Sequence, residues 1–293
     1  MWKEPYQIRT MTRKEVDLAI EWAAQEGWNP GLHDADNYYA ADPEGFLIGL
    51  LGDEPIAVIS AIRYTNQFAF LGFYIVKPEY RGQGYGIQIW NAAMQSLQGR
   101  NIALDGVVAQ QENYRKSGFH LAYRNIRYEG TAATEVAVPS VKDDVTIVDA
   151  RTYAFEDICA YDREFFPAQR RTFVKTWLNQ PDSQAFVLLK NEPEHRDRVV
   201  GYGVIRKCRN GYKVGPLYAD TPDYADQLFT ALKSFAFPSE PVYLDVPEVN
   251  PQAVALAQRH QMTASFETAR MYTGAEPELP LERLYGVTSF EIG

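Results

Sequence analysis

Two cysteines in 293 residues exclude a disulfide framework and a thiolate zinc site, because either needs several sulfurs at defined spacings. Cys208, within RKCRN, reads as an ordinary hairpin residue rather than an activated thiol. Histidine is nearly as scarce: His33, His120, His195 and His260 are scattered without ligand spacing, so no metal is expected. No uncharged apolar run approaches the roughly 20 residues of a membrane span. MWKEPYQIRT has no cationic stretch leading into an apolar core, so a cytoplasmic protein without a membrane partner is expected. Positive charge is also short, with 29 Lys and Arg against 38 Asp and Glu and a net charge of -9. That balance argues against nucleic acid, whose binding rests on clustered cations. It suits a small-molecule amine or a basic peptide.

What is present is core material: 46% hydrophobic and 13% aromatic residues suffice for two packed domains, in a monomer or homodimer. One order of elements occurs twice. RKEVDLAIEWAAQ after Thr12 has a helical apolar face, and WNPGLHDADNYYAADPEG reads as an aromatic connection. GFLIGLL, IAVISAIRY and FAFLGFYIV follow as a three-strand meander with tight turns. A glycine-rich stretch, a helix through IQIWNAAMQSLQ and the strand IALDGVV complete a crossover unit. From Asp144 a strand, a helix-rich stretch, the meander AFVLLK, VVGYGVIRK and YKVGPLY, a helix, the strand PVYLDVP and a helix repeat the plan. The division is thus 1–132, a linker 133–143, and 144–293, a tandem duplication.

The stretch VKPEYRGQGYG, Val76 to Gly86, concentrates the chemistry. Gly82, Gly84 and Gly86 each cost about 0.5–1 kcal/mol relative to Ala within regular structure, which makes sense where the backbone needs positive φ or close approach. Between a strand and a helix, such a loop aims backbone N–H groups and the helix dipole at an anion, with Arg81 adding charge. A dinucleotide fingerprint would need G-x-G-x-x-G in an early βαβ unit, and a P-loop would need Gly-Lys-Ser/Thr. Neither is present.

Arg81-Gly82-Gln83-Gly84-Tyr85-Gly86 resembles the acyl-CoA pyrophosphate loop of the GNAT superfamily of N-acetyltransferases, Q/R-x-x-G-x-G/A, and NYRKSGF (Asn113 to Phe119) resembles its tyrosine-bearing segment LYxKxGF. One departure stands out: Val107 replaces the asparagine usual seven positions before the tyrosine. The resemblance implies an α/β (α+β) fold of two tandem GNAT-like domains, each a mixed, mostly antiparallel sheet flanked by helices. It also implies acetyl-CoA as acyl donor, held by Tyr74, Ile75 and Val76 along the pantetheine and by Arg81, Gly82, Gln83, Gly84, Tyr85 and Gly86 at the pyrophosphate. Tyr114 is then the general acid that protonates the leaving thiolate. His33 and Asp105, with Asp34 and Asp36, are candidates for the base, and Trp28, Asn29, His33, Asp34 and Tyr38 for the acceptor pocket. The acceptor is a primary amine of a small molecule or, alternatively, a protein lysine or N-terminus; a non-catalytic acyl-CoA sensor or scaffold is the competing function.

In the second half, matching VGP (Val214 to Pro216) to VKP puts Ala219 at the position of Arg81, Asp220 at Gly82, Pro222 at Gly84 and Tyr224 at Gly86. Ala257 falls where Tyr114 should be, and Asn250 where Val107 replaces asparagine. The second domain is expected to keep the fold and to lack acyl-CoA binding. Phe165, Phe166 and Trp177 are expected in its core or between domains.

Overall fold

The computed structural model describes residues 5–132, 144–191 and 197–293, so the expected linker 133–143 and His195 lie outside the described residues. The first half forms β1 (Tyr6–Thr10), α1 (Arg13–Gln25), α2 (Asp34–Ala41), β2 (Phe46–Leu51), β3 (Glu54–Arg63), β4 (Phe68–Val76), α3 (Tyr85–Ser96), β5 (Asn101–Val107), α4 (Gln111–Lys116) and β6 (His120–Thr131). The second forms β7 (Val145–Asp149), α5 (Phe155–Phe165), α6 (Arg171–Asn179), β8 (Ser183–Lys190), β9 (Arg198–Lys207), β10 (Tyr212–Ala219), α7 (Pro222–Lys233), β11 (Pro241–Pro247), α8 (Pro251–Arg259), β12 (Thr263–Tyr272) and β13 (Leu284–Gly286). The duplicated order read from the sequence is present. Thr12 starts α1 through a capping box, its hydroxyl accepting from Glu15 N while the Glu15 carboxylate accepts from Thr12 N at 2.8 Å.

The aromatic connection after α1 contains a helix, α2, which its mixed polar and aromatic residues conceal in the sequence. Asp34 and Asp36 occupy its first turn, where carboxylates complement the helix dipole. Its buried face, Ala35 and Tyr38, meets the second half: Tyr38 stacks on Trp177 with centroids 6.0 Å apart. Trp177 and Phe165 share one core with Phe46 and Phe73, while Phe166 packs with Phe68 and Phe70. As expected, these second-half aromatics bind the halves together.

The strands join in one sheet of order β1-β2-β3-β4-β5-β12-β6-β11-β10-β9-β8-β7, with β13 added against β10. The last long strand of each half lies on the other half's side. β12 pairs antiparallel with β5 (Tyr272 with Ala103 through Thr268 with Val107), and β6 pairs antiparallel with β11 (Pro241 with Thr131 through Pro247 with Asn125). β6 and β12 pair with each other in the middle. The division at 133–143 therefore follows chain order, whereas the sheet runs unbroken through both halves.

Two buried ion pairs pin this exchange. Arg270 on β12 clasps Asp105 on β5 through Nε (2.9 Å) and Nη2 (2.6 Å), and Arg127 on β6 clasps Asp245 on β11 at 2.7 and 2.8 Å. Bidentate geometry satisfies both oxygens of each carboxylate, and removing one member of such a pair costs about 3–5 kcal/mol. In each half the carboxylate comes from the strand after the long helix and the guanidinium from the other half.

Candidate active site

The strands β4 and β5 run parallel and in register only from Phe68 with Asn101 to Leu71 with Leu104. Beyond that they separate. The cause lies in β4, where Phe73 and Tyr74 both stand opposite Ile59, between the pairs Gly72 with Ser60 and Ile75 with Val58. At this bulge Phe73 has φ +48°, a conformation that bulky residues rarely adopt and that costs of order 1–3 kcal/mol. Its ring is turned into the core with Phe46 and Tyr38, which offsets that cost, and the edges of Tyr74–Val76 and Asp105–Val107 are left without each other.

Into this gap opens a cavity of about 570 Å³ that extends from the glycine loop to the second half's last residues. At the loop end, Gly82 and Gly84 have φ +73° and +85°, and a side chain there would point into open space, so these two serve backbone conformation. Gly86 serves close approach: a Cβ would sit 2.6 Å from the Tyr74 hydroxyl. Gly84 is the N-cap of α3 with no side-chain cap, so the first N–H groups of the helix face outward without an internal acceptor. Arg81 lines the same end, donating to Val76 O at 2.8 Å and pairing with Glu26. Unsatisfied amides, a positive helix end and a guanidinium form an anion cradle.

At the middle of the cleft Tyr114, on α4, stacks on Trp90 with centroids 5.6 Å apart. Gly106 makes room for it, since a Cβ there would lie 2.1 Å from the Tyr114 ring. Burial, helped by Tyr74, pushes the Tyr114 phenol up to about 12. It therefore stays protonated through neutral pH and has a proton to give.

Of the residues anticipated for the acyl donor, Tyr74, Ile75, Val76, Arg81, Gly82, Gly84 and Gly86 line the cavity. Gln83 and Tyr85 do not: Gln83 donates to Glu79 O at 2.7 Å, and Tyr85 packs on Tyr6 with centroids 5.0 Å apart. Of the anticipated acceptor residues only Trp28 lines it. Asn29 bonds Asn210 across the halves, and His33 pairs with Asp182 at 2.8 Å. Asp34 forms a fully buried pair with Arg206 at 2.8 Å, and Asp36 pairs with Arg13 on the surface. Tyr38 lies behind the wall, its hydroxyl 3.1 Å from Asp34 and 3.2 Å from Glu291. Asp105 lines the cavity, and burial raises it above the ordinary carboxylate range against the pull of Arg270 and Asn125. Asn125 and Arg270 Nε both donate to its Oδ1 and Arg270 Nη2 to its Oδ2, so the carboxylate is held by three hydrogen bonds.

The far wall was missed: Arg127 on β6, Phe266 and Thr268 on β12, and Phe290 and Glu291 in the last segment. These come from more than 120 positions away along the chain or from the exchanged strand, and no local pattern marks them. A partial signal existed in Leu104-Asp105 and Leu244-Asp245, the same dipeptide at equivalent places in both halves.

In the second half β10 carries an equivalent bulge, with Gly215 and Pro216 opposite Val204 between the pairs Val214 with Ile205 and Leu217 with Gly203. This corrects the sequence match of VGP to VKP by four positions, because Gly215 and Pro216 stand where Phe73 and Tyr74 do. The connection to the following helix is then only Asp220 and Thr221, against Lys77 through Gly84 in the first half. The phosphate loop is absent rather than altered residue by residue. Thr221 caps α7 by accepting from Tyr224 N, and Pro222 occupies the first turn. β10 and β11 also part, after Val214 with Leu244, and β13 enters the gap, pairing with β10 while Val287 N donates to Asp245 O at 2.9 Å. The match of Ala257 to Tyr114 holds in the structure: Phe119 N donates to Tyr114 O, and Met262 N to Ala257 O, across the same turn.

Comparison with known proteins agrees with this geometry. Residues 11–119 match the "Acetyltransferase (GNAT) family" and residues 158–286 the "Acetyltransferase (GNAT) domain". The chain is 30% identical over 280 residues to the holothin acyltransferase of Pseudoalteromonas sp. (strain SANK 73390), covering 96% of this chain and 92% of that protein. In fold it resembles a putative acetyltransferase from Pyrococcus horikoshii, with TM-score 0.80 and 21% identity over 100% of this chain and 98% of the other. It also resembles a tandem GNAT protein from the clavulanic acid biosynthesis pathway, with TM-score 0.63 and 12% identity over 94% and 100%. Among the described residues no helix is long and apolar enough to cross a membrane. With both halves matched and one relative similar over nearly its full length, the chain belongs to the GNAT acetyltransferase family, as an acyltransferase with two GNAT domains in tandem.

Proposed function

We propose that the chain transfers the acetyl group of acetyl-CoA to a primary amine by direct attack in a ternary complex. One observation carries this reading: the uncapped N-terminus of α3 and the unpaired edges of β4 and β5 open into a single cavity that passes Tyr114. Bound there, acetyl-CoA supplies an activated thioester carbonyl. The backbone of Gly82 to Gly86 and the end of α3 hold the pyrophosphate, with Arg81 exchanging Glu26 for a phosphate oxygen. Backbone groups of Tyr74 to Val76 pair with the pantetheine arm and polarise the carbonyl. Tyr114 donates its proton to the departing sulfur.

The second half supplies a wall and no second donor site. Its phosphate loop is missing, its helix end is capped by its own side chain, and its gap holds β13. The acceptor end is enclosed by residues of both halves, Trp28, Phe266 and Phe290 among them, which favours a small amine over a protein lysine or N-terminus. The name of the holothin acyltransferase makes holothin the first acceptor to try.

The test is CoA release from acetyl-CoA with holothin, n-hexylamine, tyramine, spermidine, kanamycin and a lysine-containing peptide. Release with at least one small amine is expected. Release with none, while acetyl-CoA binds tightly, would make the protein an acyl-CoA sensor.

A further inference from the structure

After β13 the chain leaves the second half's gap and crosses to the first half's cleft. Along this path the Val287 and Thr288 carbonyls lie over Gly215, where a Cβ would meet them at 2.5 and 2.7 Å. The Glu291 carbonyl lies over Gly72, where a Cβ would meet it at 2.0 Å. Tyr64 then anchors Ile292, its hydroxyl donating to Ile292 O at 2.8 Å. This seats Glu291 beside the β4 bulge, only 4% exposed and lining the cavity. Phe290, Phe266 and Thr268 line the same wall, and the Thr268 hydroxyl is buried without a hydrogen-bond partner among the described residues. A buried hydroxyl without a partner costs free energy unless a ligand or water completes it.

We infer that Glu291 is the proton acceptor for the incoming amine, and that Phe266, Thr268 and Phe290 form the acceptor subsite around it. The inference rests on the acyl-transfer reading above. One Glu291 oxygen lies 3.2 Å from the Tyr38 hydroxyl, and the other has no partner among the described residues. Tyr38 has one proton and two carboxylates within reach, Asp34 and Glu291. When that proton goes to Asp34, a protonated Glu291 completes the contact by donating back to the phenol oxygen, so the site holds either protonation state. The surrounding charges are set: Arg206 is engaged by Asp34 and Arg127 by Asp245, while Lys213 donates to Asn29 O at 3.1 Å. Asp105 is less suited, because its pairing with Arg270 repeats that of Asp245 with Arg127 beside a gap that holds β13.

The proton balance closes. The ammonium gives one proton to Glu291, and the free amine attacks the thioester carbonyl carbon, forming C–N. As C–S breaks, Tyr114 protonates the sulfur. The second nitrogen proton, passed through solvent, restores Tyr114, and Glu291 releases its proton to water. One ammonium and one acetyl thioester thus become one amide, one thiol and one proton.

The test compares Glu291→Gln with wild type on the same acceptors between pH 6 and 10. At pH 7 the variant should lose at least about 100-fold in kcat. Its rate should climb toward wild type near pH 10, where alkylamines, ionising near about 10 as lysine does, lose the proton unaided. Calorimetry should show acetyl-CoA affinity within twofold of wild type and acceptor binding weaker by about tenfold or more. Glu291→Asp should recover part of the rate at pH 7, which a loss of packing alone would not allow. A pH-independent loss, or a variant within twofold of wild type at pH 7, overturns the inference and leaves acyl transfer standing. Wild-type protein that turns over none of these amines overturns the acyl-transfer reading and this inference together.

Discussion

The two gaps in the sheet begin alike and end differently. Each opens because a strand carries two residues opposite one, Phe73 and Tyr74 in β4 and Gly215 and Pro216 in β10. In the first the following helix starts at an uncapped glycine, and the gap leads into a cavity. In the second the helix is capped by Thr221, and β13 lies in the gap. The bulge and the parted strands therefore belong to the fold, whereas the loop length, the cap and the tyrosine on the next helix are what set the two halves apart. A splayed pair of strands is the same opportunity for a pantetheine arm or for a segment of the chain itself, since both present amides to the unpaired edges.

Substitutions test how far the two gaps differ. The largest effect is expected at the tyrosine that the second half lacks. Tyr114→Phe should lower kcat for CoA release by about 10²–10⁴-fold with acetyl-CoA affinity within twofold; an unchanged kcat would make Tyr114 a packing residue like Ala257. Because burial raises Tyr114 to about 12, its donor form is present below that pH and is lost only as pH rises through it. Wild-type kcat should therefore show no loss attributable to Tyr114 between pH 7 and 10.

A second, smaller effect concerns the cradle. Gly84→Val puts a β-branched residue at φ +85° beside the amides and should weaken acetyl-CoA binding at least about tenfold, or about 1.4 kcal/mol. Calorimetry of the wild type should give one acetyl-CoA per chain. Two would mean that β13 can be displaced, and the contrast between the gaps would fall.

The smallest effect should come from the cap itself. Thr221→Ala removes the acceptor for Tyr224 N and should cost about 1 kcal/mol in denaturant unfolding with no change in acetyl-CoA affinity. Altered affinity would mean that the second half's helix end communicates with the first cleft.

The glycine-loop end of the cavity was legible in the sequence because its signals are local. Positive-φ glycines, a strand before them, a helix after them and a tyrosine in a short helix lie within one stretch, and each leaves a mark on residue choice. The far wall of the cavity was not legible. His33, Asp34 and Asn29 were drawn from the right connection, yet their side chains turn to Asp182, Arg206 and Asn210 of the second half. The wall they were expected to form is built from β12 and from residues 290 and 291, whose place depends on an exchange of strands that no periodicity encodes. The alignment of the two halves failed for a related reason. It matched the tripeptides VKP and VGP, whereas the sheet aligns bulge with bulge, and a missing loop looked like a mutated one.

The exchange of β6 and β12 makes the two halves a complementing pair rather than a pair of modules. Cut between them, the first half would keep the bulge, the glycines and Tyr114 but lose Arg270, the partner of Asp105, together with the strand on which Phe266 and Thr268 stand. The second would lose Arg127 and the edge that β11 pairs with. Neither fragment alone carries the whole lining of the cavity, which is built from both halves. After such a duplication, the copy without a cradle cannot be shed, because the strand that closes the working cleft is written in its half of the gene.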